Sequence, residues 1–277
     1  MITFENIYDE TSRGIITDPA YKGYLGEGAR TNLFLNSTAP VTQDITTTAQ
    51  SYTISVLGTG DVTVSGTAAG TATEGNPLTV TATAGTMTCT VTGTLSRVQV
   101  EAGAFASSFI DTGATTVTRP ATVLAFPTEG ILRAQNCAVY GRVVPAASHD
   151  GKLLSAGSSL EVSTSSGSVV LTKGVETASA AVDLTKPIEY QAAWTDQGML
   201  VRTRSYDSTW SAWSAWGTNA NTVAATVATD LELGSSAGAS HFNGNYPMLA
   251  TMFLPDRASL AEYQTYIENT NNWRGVV

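Results

Sequence analysis

Strict two-residue alternation across a threonine- and glycine-rich block constrains this chain more than any other feature. Residues 51–57 (SYTISVL), 61–65 (DVTVS), 78–83 (LTVTAT) and 87–92 (MTCTVT) carry apolar side chains at every second position, and residues 95–101 continue the block. Period two puts Val62 and Val64 on one face of a strand and Thr63 and Ser65 on the other. Gly58, Thr59 and Gly60 read as a turn and Gly75, Asn76 and Pro77 as a loop, with Gly85 and Gly93 between the later strands. Short strands with glycine turns at this spacing predict an antiparallel β-sandwich over residues 28–122. Its outward positions are threonine-rich with few charges, so the strand edges are expected to be covered by neighbouring chains.

Composition agrees with strands. Charged residues make up 13% of the 277 residues and hydrophobic residues 42%, with Thr, Ser, Ala and Gly filling the difference. The formal net charge is −9, and the 14 Lys and Arg form no run. A basic patch for phosphates is missing from the pattern, which argues against nucleic acid as a partner. Residues 1–14 (MITFENIYDETSRG) show neither a basic start nor an apolar run, so neither a signal peptide nor a membrane insertion is expected. Cys89 and Cys137 sit at strand-like apolar positions outside any metal-ligand spacing and read as buried thiols, a disulfide between them staying open.

The flanks of the alternating block carry a resemblance. Residues 23–37 (GYLGEGARTNLFLNS) and 97–118 (RVQVEAGAFASSFIDTGATTVT) resemble the opening and closing runs of a β-sandwich module in head-spike, head-fibre and tail-fibre proteins of tailed bacteriophages. The likeness covers residues 23–120 and identifies a module, not a reaction. It implies a virion structural protein, assembled in the host cytoplasm, homotrimeric, and attached to other phage structural proteins through a short N-terminal segment. Residues 1–27, with mixed charges and aromatics and no periodicity, read either as that anchor or as a partly ordered terminus.

Arg119, Pro120, Phe126 and Pro127 read as strand breakers, placing a domain boundary near 121–128. Residues 129–277 then read as a second all-β unit, with strands at 136–144, 152–156, 159–163, 168–172, 178–182, 188–194, 198–204, 230–234 and 247–253. Residues 190–194 (YQAAW) and 199–204 form a hairpin about Gly198. Ser259 and Glu262 make a capping box ahead of Leu260, Tyr263 and Ile267 at helical spacing, predicting one closing helix. The runs DLELGSS (230–236) and NGNYPMLATMFLPDRASLAEYQ (243–264) resemble the concanavalin A-like, laminin G-like jelly rolls. The predicted fold class is therefore all-β: two tandem antiparallel β-sandwich (jelly-roll) domains and one short C-terminal helix. That fold serves lectins, hydrolases and scaffolds alike, so function must come from a site.

Trp210, Trp213 and Trp216 lie three apart in STWSAWSAWG. On an ideal strand that spacing alternates faces, so a loop or a bulged strand is expected. Thrombospondin repeats share the WxxWxxW string, but they need flanking cysteines and stacked arginines, and the sequence shows neither beside it. Two readings remain: a sugar platform in which indole faces stack on pyranose rings, with Tyr206, Asp207, Asn219 and Asn221 as polar neighbours, or tryptophans packed under a loop or between subunits. Trp194 and Trp273 read as core. His241, Asn243 and Tyr246 form a second polar-aromatic loop, either a glycan rim or a plain turn.

Catalytic signals are thin. Asp230 and Glu232 share a strand face, but no longer carboxylate run accompanies them. His149 and His241 are the only histidines, no G-x-S-x-G elbow is present, and the acids do not cluster for calcium. The expectation is a non-enzymatic virion subunit without metal or cofactor that binds host-surface polysaccharide. The alternatives are a small tailspike-like polysaccharide depolymerase and a purely architectural capsid decoration protein.

Overall fold

Two strands of unusual length organise the threonine-rich unit, Ala29–Pro120. Gln50–Gly66 and Gly85–Ala102 run antiparallel from Tyr52↔Ala102 to Gly66↔Met87. The computed structural model describes residues 24–146, 149–221, 226–236, 241–269 and 274–275, so Trp273 and residues 1–23 of the expected anchor lie outside the described residues.

The glycines read as turns lie inside these strands. Gly58, Gly60 and Gly93 have φ of 110°, 149° and 71°. A Cβ on Gly60 would stand 2.1 Å from the Thr92 carbonyl oxygen, and one on Gly93 2.4 Å from that of Thr59. Here glycine lets two paired backbones bend together at close range rather than reversing the chain. Ser96 is an extra residue between Leu57↔Arg97 and Gly58↔Leu95, a β-bulge that shifts the inward phase. Met87 and Cys89 point inward before it, Val98 and Val100 after it. The bulge thus keeps both halves of the strand facing a single core, which they share with Ile45, Tyr52, Ile54, Val62 and Val64. Gln43–Thr47, Gly70–Thr73 and Leu78–Ala82 complete the five-stranded sheet, and Arg30–Asn32 pairs with Val117–Arg119. Outside, threonine hydroxyls bond across strands, as at Thr63–Thr71 (3.1 Å).

The second unit comprises residues 24–28 and the described part of Ala121–Val277. Two antiparallel sheets enclose one core. The larger runs in the order Tyr24–Gly26, Gly244–Phe253, Cys137–Pro145, Ile188–Thr195, Gly198–Asp207 and Thr209–Trp210, with Gly217–Asn219 also on Gly198–Asp207. The smaller runs Glu176–Ala181, Ser168–Lys173, Leu160–Ser165, Gly151–Ser155, Asp230–Leu233 and Leu124–Pro127. The nine expected strands are present within a few residues. The hairpin closes with Thr195↔Gly198, and Trp194 is fully buried, its indole N–H donating to the Arg133 carbonyl at 2.7 Å.

Two further expectations need correction. Leu124–Pro127 is a strand despite its proline, which is tolerated because it ends an edge strand. Tyr24–Gly26, assigned to the anchor, is an edge strand on the Gly244–Phe253 strand, so this unit begins before the threonine-rich one in sequence.

The Leu260–Asn269 helix lays Tyr263 and Ile267 on Ala138, Ala193, Leu200 and Met252, the outer face of the larger sheet. Ser259 Oγ accepts from the Glu262 N–H at 3.3 Å, while the Glu262 carboxylate takes the Ala258 N–H at 3.2 Å, one residue earlier than in the standard box. Both cysteines are free and buried, and burial pushes each thiol up to about 12. Among the described residues no helix is long and apolar enough to cross a membrane.

The glycines of the bent strands make a stability test. Gly75 has φ of 72° with nothing within 4 Å of an added Cβ. Gly75→Ala should therefore cost only the backbone term, about 1 kcal/mol. Gly60→Ala adds a clash with backbone and should cost about 3 kcal/mol in urea unfolding.

Candidate functional site

The segments that flank the alternating block meet in the threonine-rich unit as one buried polar network. Asn32 is fully buried, and both ends of its amide are used. Nδ2 donates to the carbonyls of Val98 (3.3 Å) and Ile110 (2.8 Å), and Oδ1 accepts the N–H groups of Phe34 and Val100, each at 3.0 Å. Gln99 Oε1 takes the Ile110 N–H at 2.7 Å, and its Nε2 donates to Glu101 at 3.1 Å. Glu101, also fully buried, accepts the Ser107 N–H (2.6 Å) and hydroxyl (2.7 Å) and lies 3.4 Å from Arg30 Nε. The Arg30 guanidinium covers Phe105 at 4.9 Å, and a side chain at Gly103 would strike it at 2.8 Å. Ser37 and Thr112 exchange backbone-to-hydroxyl bonds of 3.1 and 2.8 Å. The Arg, Asn and Ser of the first segment and the Gln, Glu, Gly and Phe of the second are thus partners in one clamp. They hold the module closed.

The second constellation is on the outer face of the larger sheet. Residues 209–219 run antiparallel to Gly198–Asp207, but three residues of one match two of the other. Serine makes this workable. The Ser211 N–H donates to the Ser205 carbonyl at 2.9 Å, and Ser211 Oγ accepts the Ser205 N–H at 3.1 Å. Ser214 repeats the exchange with Thr203 at 2.8 and 3.1 Å. The hydroxyl replaces the carbonyl that a regular partner strand supplies. Each residue before this position is a tryptophan, so a period-three string presents all three indoles to the same set of cations.

Those cations are arginines. Arg202 lies over Trp216 (4.4 Å) and Trp213 (4.7 Å), and Arg204 over Trp213 (4.6 Å) and Trp210 (5.2 Å). Arg142, from the Cys137–Pro145 strand, lies 5.0 Å from Trp210. The result is an interleaved ladder of indole and guanidinium planes. Carboxylates fix it from beneath and at one end. Fully buried Glu189 accepts from Arg142 and from Arg204 Nε (2.6 Å) and Nη2 (2.5 Å). Arg202 Nε donates to Gln191 (2.7 Å) and Nη1 to Glu268 (2.7 Å), which also takes the Trp216 N–H at 2.8 Å. Burial pulls Arg202 below its ordinary value, opposed by Glu268. Burial, then the contact with Glu189, pushes the Tyr140 phenol up.

This corrects the sequence reading. Stacked arginines exist; they come from neighbouring strands rather than from flanks of the tryptophan string. The visible signal was Arg202 and Arg204, two apart and on one face of the adjoining strand. Arg142, Gln191, Glu189 and Glu268 carried no local signal.

The remaining candidates separate. Tyr206 meets Trp210 edge-on at 5.3 Å and so extends the ladder. Exposed Asp207 accepts from Lys186 at 2.8 Å. Asn219 donates to Glu176 and to the Thr177 carbonyl, each at 3.0 Å, and its Oδ1 takes the Asn221 N–H at 2.9 Å, tying the segment's end to the smaller sheet. The 241–246 stretch is not an open rim at Asn243 and Tyr246. Asn243 is buried, accepting the Gly28 N–H at 2.6 Å, and its own N–H goes to His149 Nε2 at 2.8 Å. Tyr246 is core, with its hydroxyl on the Phe242 carbonyl at 2.9 Å. His241 is half-buried, and burial lowers its pKa. Glu232 accepts from Ser235 at 2.7 Å, and Asp230 is exposed. Among the described residues no group of three His, Cys, Asp or Glu is placed to hold a metal.

No protein-family profile matches the chain, and no curated protein matches it. Among solved structures it is similar to domains LG4–5 of the mouse laminin α1 chain, with 12% identity, 83% of this chain and 89% of that one covered, and a TM-score of 0.36.

Two substitutions test the two constellations. Asn32→Ala leaves buried N–H and C=O groups of four residues without partners and should lower stability by about 3 kcal/mol or more in urea unfolding. Trp213→Ala removes two stacked contacts and should cost about 2 kcal/mol. A double-mutant cycle of Trp213→Ala with Arg204→Gln should return a coupling of about 0.5–1 kcal/mol, where independent packing would return none.

Proposed function

We propose that this protein is a non-enzymatic structural subunit of a tailed-bacteriophage particle, a head spike or fibre, tail fibre or decoration subunit, that projects from the virion and binds host-surface glycan. The observation that carries the virion reading is the clamp in the threonine-rich unit. The residues on which the phage resemblance rests, Arg30, Asn32, Gln99, Glu101, Gly103 and Phe105, are bonded or packed to one another or to shared partners. Their order and spacing in the sequence are therefore what a closed module of this kind requires, which supports reading them together as one signature.

Glycan contact belongs to the second unit. Its larger sheet presents the half-buried Tyr206, Trp210, Trp213 and Arg204 side by side on the outer face. Planar groups with a few fixed polar atoms are the surface a saccharide needs. A single such contact is weak. Homotrimers repeated over a particle multiply it through effective concentration. In this reading the N-terminal segment joins the subunit to the particle and the second unit faces the host.

Incubation of the purified chain with host capsular polysaccharide tests this. Retention of the polymer with no new reducing ends is expected. Release of reducing ends would replace the adhesin with a depolymerase. Absence of the chain from purified particles, probed with an antibody, would remove the virion reading.

A further inference from the structure

The glycan site of the preceding section has a sharper chemistry than a sugar platform. Stacking of a neutral pyranose requires a bare indole face. Trp213 has Arg202 and Arg204 stacked on it at 4.7 and 4.6 Å, and Trp210 has Arg142 and Arg204 on it and Tyr206 against it. Each of these two indoles therefore already carries guanidinium groups where a pyranose would stack, and Arg204 is the more exposed of the two arginines on Trp213.

Those guanidinium groups are ordered before any ligand arrives. Arg204 is stacked between two indoles and anchored through Nε and Nη2 to Glu189, and its side chain is 27% exposed. Arg202 is stacked between two indoles and anchored through Nε and Nη1. Arg204 Nη1 and Arg202 Nη2 have no partner among the described residues. Side chains held on both faces lose little rotamer freedom when a ligand binds, and a guanidinium rim matches the plane of a carboxylate. The site is also locally cationic, with three arginines against Glu189 and Glu268, on a chain of net charge −9.

We infer that the ladder selects an acidic saccharide, a polymer of uronate residues, whose carboxylate bonds the outward rim of Arg204, with Arg202 beside it. The inference rests on the glycan-binding reading and narrows it to one ligand class. The tryptophans are positioning residues that hold the arginines, and the contact with the ligand is made by the guanidinium N–H groups.

The test compares two ligands on the unaltered full chain by titration calorimetry: an octagalacturonate, and the same octamer with its carboxyl groups reduced to primary alcohols. The acidic octamer should bind at least tenfold tighter, and Arg204→Gln should close most of that gap while far-ultraviolet dichroism stays unchanged. The ligand comparison decides the matter even if that variant fails to fold. Equal affinity for both octamers, or no binding of either while host polysaccharide is still retained, overturns the acidic-ligand inference and leaves the adhesin reading standing. Loss of polysaccharide retention as well overturns both.

Discussion

A polar group taken out of water must find a partner, and the cost of leaving it alone exceeds what any one contact in a β-sandwich supplies. Both units are arranged around that requirement. In the threonine-rich unit, Asn32 answers four backbone groups that neighbouring segments leave unpaired, and Glu101 collects Gln99, Ser107 and Arg30. In the second unit, buried Glu189 exists only with Arg142 and Arg204 around it. Removing one member of either set strands the others, so each set acts as a block and fixes the segments it joins.

The same requirement explains how the tryptophan string stays paired. A chain that advances three residues for every two of its neighbour loses the regular exchange of N–H and C=O groups. Ser211 and Ser214 restore it with their hydroxyls, and Gly217 returns to ordinary register opposite Val201. Serine is needed at those positions and tryptophan is free to occupy the preceding ones. The ladder is the side-chain consequence of a backbone solution, and it also covers the edge of the Gly198–Asp207 strand that would otherwise offer a row of unpaired groups.

Features set by local pattern were legible in the sequence. The strands of the second unit, the hairpin through Thr195 and Gly198, the helix over Tyr263 and Ile267 and the burial of Trp194 all follow from periodicity, turn residues and caps. What failed depended on partners far along the chain. Gly60 looks like a turn until Thr92 is known to lie against it. Leu124–Pro127 reads as a break until its position at a sheet edge is known. Asn243 and Tyr246 look like a polar rim, and only Gly28, His149 and Phe242 show them as interior. The arginines of the ladder come from residues 142, 202 and 204, and no window around the tryptophans contains all three.

One consequence concerns how binding and stability relate in the second unit. Glu189 and Glu268 hold inner nitrogens of Arg204 and Arg202, and it is Arg204, with a side chain 27% exposed, that faces solvent, while Arg202 is buried. The anchoring carboxylates therefore do two things at once: they remove most of the cationic charge that would otherwise be costly to bury, and they leave a directional remainder. A lysine in the same place would carry the same charge but as a compact ammonium without a fixed plane, so it could neither stack between two indoles nor hold its remaining donors in one orientation. The geometry of the ladder is thus geometry that the fold needs for its own closure: the arginines that face the outer side of the sheet are the same ones that satisfy its buried carboxylate.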